Sequence, residues 1–367
     1  MTTQTVFQVN RNNLSDTRLI SSVIPSGESL KDGQVLLKVD SFSFTANNIT
    51  YATMGDRMRY WDFFPADEGY GIIPVWGFAE VVETKCEGIE AGERFYGYLP
   101  MGTHLVVEPG RVSSAMFVDD AIHRKPLSSV YNQYLKCSSD PLYNKGTEAL
   151  QMLLRPLFTT SFLLDDFYED NDFFSAETAL LTSASSKTAL GMAFLLHRNR
   201  VSRNQNYEIV GLTSPGNVSF VEGLGCYDRV VAYDQVKTLD SSVACSSVDF
   251  AGNGTVLGNI HNHYGDQLKY SCLVGASHWD QRSGLPKDLA GPEPKLFFAP
   301  SQAEKRVSEW GGAGFQTRLG EVWSEFVSFV GGWIDVKTET GSEGLEKAYR
   351  QVLSGQSTPD KGLIISL

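Results

Sequence analysis

The sequence has few of the residues that build metal sites or disulfide frameworks. Among its six histidines only His261 and His263 stand close together, and their i,i+2 spacing suits a strand but points to opposite faces of a helix. The cysteines occur singly, with no Cys-x-x-Cys pair, at Cys86, Cys137, Cys226, Cys245 and Cys272. We therefore expect buried thiols and no bound metal.

Positive charge and long apolar runs are also scarce. The chain has 31 basic and 43 acidic side chains, which give a formal net charge of −12. Such a charge repels nucleic acid and anionic lipid headgroups. No run of about 18 apolar residues occurs, and the first residues, MTTQTVFQVNRNN, contain no basic patch followed by an apolar run. We expect a cytoplasmic protein with no membrane span and no nucleic-acid partner.

The pattern of apolar residues predicts two domains in the 367 residues. Alternating stretches such as QVLLKVDSFSF (34–44), with glycine turns between them, predict a small β-barrel. After Tyr131, helix-spaced positions appear, and nearly all-apolar runs predict parallel strands at 178–183, 207–213, 229–234, 246–252 and 270–277. The predicted domains are 1–130 with 311–367, and a Rossmann-like domain over 131–310.

The stretch LLTSASSKTALG, after the first of these parallel strands, resembles a phosphate-binding turn that has lost its glycines. Small residues still let a backbone approach an anion, and the amides of the following helix N-terminus can bind it. The predicted contacts are the hydroxyls of Ser185, Ser186 and Thr188 and the ammonium group of Lys187. An ordinary N-cap is the simpler interpretation, while a degraded P-loop is disfavoured because Ser186 stands where that motif needs glycine.

Several segments resemble the medium-chain dehydrogenase/reductase family, in its zinc-free quinone-oxidoreductase and enoyl-reductase branch. They are GLTSPGNVSFVEGLGCYDRVVAYD, GQVLLKVDSFSFTANNITYATMGD, GFAEVVET with EGIEAGERFYGYL, and SSVDFAGNG. The first of them has the family's helix ending and strand at Leu224, Gly225, Asp228, Val230 and Tyr233. The resemblance implies an α/β protein with a GroES-like β-barrel catalytic domain, a doubly wound Rossmann domain and assembly as a homodimer.

The resemblance also implies a nicotinamide coenzyme. Thr213 and Ser214 stand where NAD-binding members have an acidic residue, so NADP is the expected cofactor, although Asn217 replaces the family's usual lysine. The residues expected beside the nicotinamide, at the carboxyl ends of later strands, are Asn253, Gly275 and Ala276. His278 follows them and is the weaker candidate.

Zinc ligands of the related alcohol dehydrogenases are missing, because neither FTANNITYATMGD nor IIPVWGFAEVV contains Cys or His. A metal-free reductase needs another donor for the substrate oxygen. Tyr51 stands near the position of a tyrosine in some enoyl reductases, and Asn48 lies in the same loop. The alternatives are that Tyr51 is a packed aromatic residue and that Asn48 forms a turn.

Two functions remain open from the sequence. The first is an NADP(H)-dependent, zinc-independent oxidoreductase that transfers hydride to or from a carbonyl or a conjugated C=C bond. The second is a non-catalytic NADP-binding sensor or scaffold that retains the dehydrogenase fold. The aromatic residues of the loop RMRYWDFFPADEGYG either line a cleft for a bulky, apolar substrate or clamp the domains; they are Tyr60, Trp61, Phe63 and Phe64.

Overall fold

The computed structural model describes residues 2–250, 252–274, 288–356 and 358–367. The chain divides into two compact units. Unit 1 comprises Met1–Arg155 and Trp323–Leu367, and unit 2 comprises Pro156–Val322.

The helices and strands are numbered in chain order. The strands are β1 Thr2–Asn10, β2 Asn13–Ile24, β3 Val35–Ser43, β4 Tyr70–Gly71, β5 Pro74–Thr84, β6 Arg94–Pro100, β7 His104–Val107, β8 Pro109–Gly110, β9 Met116–Asp119, β10 Gln133–Lys136, β11 Thr178–Leu181, β12 Glu208–Thr213, β13 Arg229–Ala232, β14 Cys245–Asp249, β15 Leu268–Leu273, β16 Lys295–Leu296, β17 Asp335–Thr340 and β18 Lys361–Ser366. The α-helices are α1 Ala46–Thr53, α2 Glu148–Asp170, α3 Lys187–Asn199, α4 Val218–Gly223, α5 Gly254–Tyr264, α6 Ala299–Gly331, which is broken at Gly311, and α7 Gly341–Leu353.

Unit 1 is built on a mostly antiparallel sheet with the order β17-β18-β3-β5-β6-β10-β9-β8, and β7 also pairs with β3. The strands alternate because one face packs on the core, where Val35, Leu37 and Val39 are buried. Gly97 allows close packing on β6, since a Cβ atom there would lie 2.5 Å from Tyr134 Cδ1. The β1–β2 hairpin, which pairs with β4, was not predicted from the sequence.

The division between the units comes later in the chain than the predicted boundaries at 130 and 311, and it falls within α2 and α6. Residues 131–155 lie in unit 1 because β10 pairs with both β6 and β9 of its sheet. The start of α2 is tied to the same sheet, since Arg94 of β6 pairs with Glu148 at 2.8 Å.

Unit 2 has a parallel sheet with the order β13-β12-β11-β14-β15-β16. Numbered within the unit this order is 3-2-1-4-5-6, which is that of the doubly wound dinucleotide-binding fold. The five predicted strands are found as β11 to β15, with residues 251 and 275–277 of the predicted ranges outside the described residues. Strands β11 and β14 are buried along their whole length, as parallel strands covered on both faces should be. In the part of the chain that the structure describes, no helix has the length and apolar character needed to cross a bilayer.

Candidate functional site

In unit 2 the predicted phosphate-binding turn connects β11 to α3 at the carboxyl edge of the sheet. Ser183 has φ of +48°, in the left-handed region that favours glycine, so the chain keeps a glycine conformation without the glycine. Ser186 is the N-cap of α3, and its hydroxyl accepts a hydrogen bond from the Ala189 amide at 3.3 Å. The N-cap interpretation of Ser186 is therefore correct, and it leaves the helix N-terminus intact as a site that attracts anions.

Two tyrosines hold the backbone of this turn. The Ser183 amide donates to the Tyr233 hydroxyl at 3.1 Å, and the Tyr227 hydroxyl donates to the Ala184 carbonyl at 2.9 Å. The Ser183 amide is thus bonded to the protein and does not point to a phosphate. Sequence reasoning identified Tyr233 only as part of the family motif, because a contact across 50 residues cannot be read from spacing.

Ser185 connects the turn to the end of β12. Its oxygen accepts hydrogen bonds from Asn217 Nδ2 at 3.1 Å and from the Thr213 hydroxyl at 3.4 Å. Since both neighbours donate, the proton of Ser185 can be donated to an acceptor such as a phosphate oxygen. Thr213 is 1% exposed and directed inward, whereas Ser214 is half-buried at the strand end.

The remaining candidates of unit 2 differ in position. Lys187 and Thr188 open α3 and are half-buried, beside the positive end of the helix dipole. Asn253 caps α5 after β14, and its Oδ1 accepts from the amides of Thr255 and Val256. It lies at the carboxyl edge of the same sheet, but its oxygen is already bonded. Gly275, Ala276 and His278 lie outside the described residues.

In unit 1 Asn48 fixes helix α1 to the start of β5. Its Oδ1 accepts from the Thr45 amide at 2.8 Å and from the Thr45 hydroxyl at 3.2 Å, and its Nδ2 donates to the Pro74 carbonyl at 2.9 Å. The side chain is 3% exposed. These bonds correspond to the turn-forming alternative, and they give Asn48 a structural role in this conformation.

Tyr51, one turn further along α1, lies within a group of aromatic rings. It is 6% exposed, and its ring centroid lies 4.6 Å from that of Tyr60 and 5.7 Å from that of Tyr98. Burial raises the pKa of Tyr51, so the phenol is protonated at neutral pH. Trp76 Nε1 donates to the Tyr51 hydroxyl at 3.4 Å. Because an indole N–H only donates, Tyr51 accepts in this bond and keeps its proton for another acceptor.

The other aromatic residues of the predicted loop pack within unit 1. Trp61, Phe63 and Phe64 are buried in its core, and Tyr60 is half-buried. The Tyr60 hydroxyl lies 3.4 Å from that of Tyr131. The group that surrounds Tyr51, which we call the tyrosine cluster, consists of Tyr51, Tyr60, Trp76, Tyr98 and Tyr131.

The close pair His261 and His263 is engaged in hydrogen bonds within unit 2. His261 Nδ1 lies 2.7 Å from the Ala290 carbonyl and its Nε2 lies 2.9 Å from Ser271 Oγ, while His263 Nε2 bonds the Leu239 carbonyl. Over residues 2–250, 252–274, 288–356 and 358–367 the structure contains no group of three or more His, Cys, Asp or Glu side chains arranged to hold a metal ion.

Solved structures share this architecture over the full chain. A mutant form of the enoyl thioester reductase from Candida tropicalis matches with a TM-score of 0.60 at 11% identity, covering 100% of both chains. The quinone oxidoreductase from Coxiella burnetii matches with a TM-score of 0.54 at 11% identity, again covering 100% of both. CurA from Vibrio vulnificus in complex with NADPH matches with a TM-score of 0.58 at 13% identity, covering 99% of this chain and 98% of that one.

The chain shares with these reductases an α/β fold that combines a GroES-like domain with a Rossmann-type domain. At these identities the likeness concerns the fold alone. The model of the family described as "Protein of unknown function (DUF2855)" matches residues 42–358, and the chain belongs to that family. No curated protein matches the sequence.

Proposed function

We propose that this protein is an NADP(H)-dependent, zinc-independent oxidoreductase that transfers hydride to or from a carbonyl, or a C=C bond conjugated to one. The observation that carries the proposal is the state of Tyr51, whose hydroxyl is buried and protonated and accepts from Trp76. A phenol held in this way is a hydrogen-bond donor without a metal, which is what a carbonyl oxygen needs as negative charge develops on it.

The turn after β11 fits the diphosphate of a dinucleotide. The left-handed Ser183 gives it the shape of a glycine turn, and the hydroxyl of Ser185 keeps a proton to donate. The contacts we assign to the diphosphate are Ser185, Ser186, Lys187 and Thr188, at the N-terminus of α3. Among the similar structures, CurA is described as a complex with NADPH and Etr1p as a complex with NADP and crotonyl-CoA.

The end of β12 favours NADP over NAD. A carboxylate there would bind the two ribose hydroxyls of NAD and repel a 2′-phosphate. This chain has Thr213 and Ser214 instead, and Ser214 is the more accessible of the two. We assign Ser214 to the 2′-phosphate, with Thr213 positioning Ser185, and we assign Asn253, Gly275 and Ala276 to the nicotinamide side.

Catalysis then depends on what Tyr51 does at the substrate oxygen. NADPH, when bound, supplies the hydride. As the hydride reaches carbon, an electron pair moves to the substrate oxygen, and Tyr51 donates a hydrogen bond to it. Asn48 acts as a positioning residue, since it holds α1 against β5 and so fixes the height of Tyr51 above the sheet.

The experiment follows the absorbance of NADPH with the purified protein and a panel of enones, quinones and aldehydes. Tyr51→Phe should lower kcat on any accepted substrate by about 100-fold to 1,000-fold, as expected for loss of one oxyanion donor. Tyr70→Phe is the matched control, because the Tyr70 hydroxyl donates to the Asp16 carboxylate at the surface. Unchanged turnover in Tyr51→Phe would contradict the assignment.

The second candidate is a non-catalytic NADP-binding sensor or scaffold. It is favoured by the burial of Tyr51, which is 6% exposed, and by the bond that occupies the Ser183 amide. Tight NADPH binding without oxidation by any acceptor would support it. The homodimer implied by the family resemblance is part of the proposal, and light scattering on the full chain tests it.

A further inference from the structure

One buried hydroxyl in the tyrosine cluster has no hydrogen-bond partner. Tyr98 is 0% exposed, and within the residues that the structure describes its hydroxyl oxygen contacts no donor or acceptor in hydrogen-bond geometry. Its bond with Tyr134 uses the Tyr98 backbone carbonyl, not the phenol. Burying a hydroxyl without a partner is unfavourable, so a protein that keeps one there has a reason outside its own packing.

The hydroxyl of Tyr98 lies on the same side of the sheet as that of Tyr51. Tyr98 pairs directly with Trp76 across β6 and β5, and their ring centroids are 5.0 Å apart. Trp76 in turn donates to Tyr51, whose ring meets that of Tyr98 edge to face. Hydrogen-bonding interaction with the Tyr98 side chain lowers the pKa of Tyr51 against the larger effect of burial, although the two hydroxyls do not meet the distance and angles of a standard hydrogen bond.

The two phenols are complementary in what they offer. Burial raises the pKa of Tyr51 and the pKa of Tyr98, so both carry a proton at neutral pH. The Tyr51 oxygen accepts a hydrogen bond from Trp76, and its proton is available to an acceptor. Among the described residues, the Tyr98 hydroxyl neither donates nor accepts a hydrogen bond. A single acceptor oxygen placed between them would satisfy both protons.

We propose that Tyr98 is a second hydrogen-bond donor to the substrate oxygen, so that the site takes a flat aromatic carbonyl compound held by two phenols. This inference rests on the proposed function and adds a residue that the family resemblance does not supply. Two donors stabilise a charged oxygen more than a neutral one, because hydrogen bonds to an ionised acceptor are roughly twice as strong. The two phenols therefore stabilise the transition state, in which the substrate oxygen becomes negative, more than the neutral substrate.

The neighbouring rings indicate the shape of the substrate. Tyr60 lies against Tyr51 at 4.6 Å and Tyr131 lies against Tyr98 at 4.7 Å, and both of these outer residues are half-buried. Their hydroxyls lie 3.4 Å apart. A planar aromatic ring that inserts between the outer and inner tyrosines replaces the ring–ring contacts that it breaks with contacts of its own. A branched aliphatic carbonyl compound cannot form such contacts.

The test uses 4-nitrophenol as a probe, since its phenolate imitates a negatively charged oxygen on a flat ring and absorbs differently from the phenol. The full-length protein should bind the phenolate form, which is seen as the phenolate absorbance band at a pH where the free probe is largely protonated. Tyr98→Phe should weaken this binding about tenfold, the usual effect of losing one hydrogen bond to a charged group. With an accepted substrate, kcat/KM should fall by a similar factor.

Tyr349→Phe is the matched control. Tyr349 is also fully buried in the core of unit 1, but its hydroxyl already has a partner, since it donates to the Leu14 carbonyl at 2.7 Å. This variant should bind the probe as the wild type does. Tyr98→Phe should fold at least as stably as the wild type, because it removes an unsatisfied group, so weaker binding would not reflect unfolding.

The outcomes separate the two proposals. Phenolate binding that is unchanged in Tyr98→Phe, or absent from the wild type, overturns the inference even if NADPH is oxidised through Tyr51. Phenolate binding that depends on Tyr98 supports the two-donor site. If that binding is found without any NADPH turnover, the reductase proposal fails while the two-donor site stands.

Discussion

Replacement of Arg124 by methionine tests how the tyrosine cluster is supported. Arg124 is 1% exposed, and its guanidinium donates to the Asn132 side chain at 3.0 Å, the Tyr134 hydroxyl at 2.9 Å and the Tyr131 carbonyl at 2.7 Å. It also pairs at 3.2 Å with the Asp119 carboxylate, which is equally buried. Methionine keeps an apolar stem of similar length and removes every donor.

The magnitude follows from the charge that is left behind. Without Arg124, the hydrogen bonds that the Asp119 carboxylate keeps among the described residues come from the backbone amides of Glu108 and Ala121, each at 3.1 Å. Breaking a buried pair by removing one partner costs about 3–5 kcal/mol, because the other charge stays buried without compensation. We expect Arg124→Met to lower the free energy of unfolding by that amount. The substitution should also increase the mobility of Tyr131, because Arg124 donates a hydrogen bond to the Tyr131 carbonyl.

Urea denaturation followed by circular dichroism measures the loss. The control is Arg350→Met, because Arg350 forms an exposed i,i+4 pair with Glu346 and its removal should cost at most about 0.5 kcal/mol. If Arg124→Met were as stable as Arg350→Met, the reasoning about the buried pair would be refuted.

Three further predictions concern unit 2. Ser214→Asp should weaken NADPH binding by about tenfold or more, because the new carboxylate repels the 2′-phosphate. Ser219→Asp, at an exposed position of α4, is the control. Calorimetric titration with NADPH and with NADH measures the affinity of each variant. Ser183→Gly should raise the free energy of unfolding by up to about 1 kcal/mol, because a left-handed non-glycine residue is strained and the Tyr233 bond to its amide remains; a clear loss of stability in urea would argue against this. Burial lowers the pKa of His261, so its neutral ring contributes stability that is present above pH about 6.5 and is lost as pH falls through the lower folded pKa. His261→Gln should flatten this acid-side decline in a thermal-shift series, and an unchanged slope would contradict the assignment.

The sequence predicted unit 2 more completely than unit 1, for a physical reason. Parallel strands buried on both faces are nearly all-apolar, so β11 to β15 could be found from composition alone. The β1–β2 hairpin was missed because β2 is mostly exposed and mixes polar with apolar residues. The compact unit 1 continues past the predicted boundary near Tyr131 to Arg155, since the pairing of β10 with β6 is a long-range contact that no local pattern indicates.

For the candidate site, the sequence located segments but not the partners of their side chains. The hydroxyls of the turn were predicted to face an anion, and the structure adds the contacts that spacing could not indicate: Ser186 caps α3, and Ser185 accepts a hydrogen bond from Thr213 of β12. Tyr98 was not considered, because its importance lies in an unpaired hydroxyl beside Tyr51, which only the fold brings together. An alternation of tyrosines at 96 and 98 in the segment EGIEAGERFYGYL was the available signal.

The central claim is that the turn after β11 holds a nicotinamide coenzyme, and calorimetric titration of NADPH into the full-length protein tests it most directly. The account predicts one site per chain, tighter binding of NADPH than of NADH, and weaker binding of both in Lys187→Ala. The absence of binding heat with either coenzyme over a range of temperatures would contradict the claim.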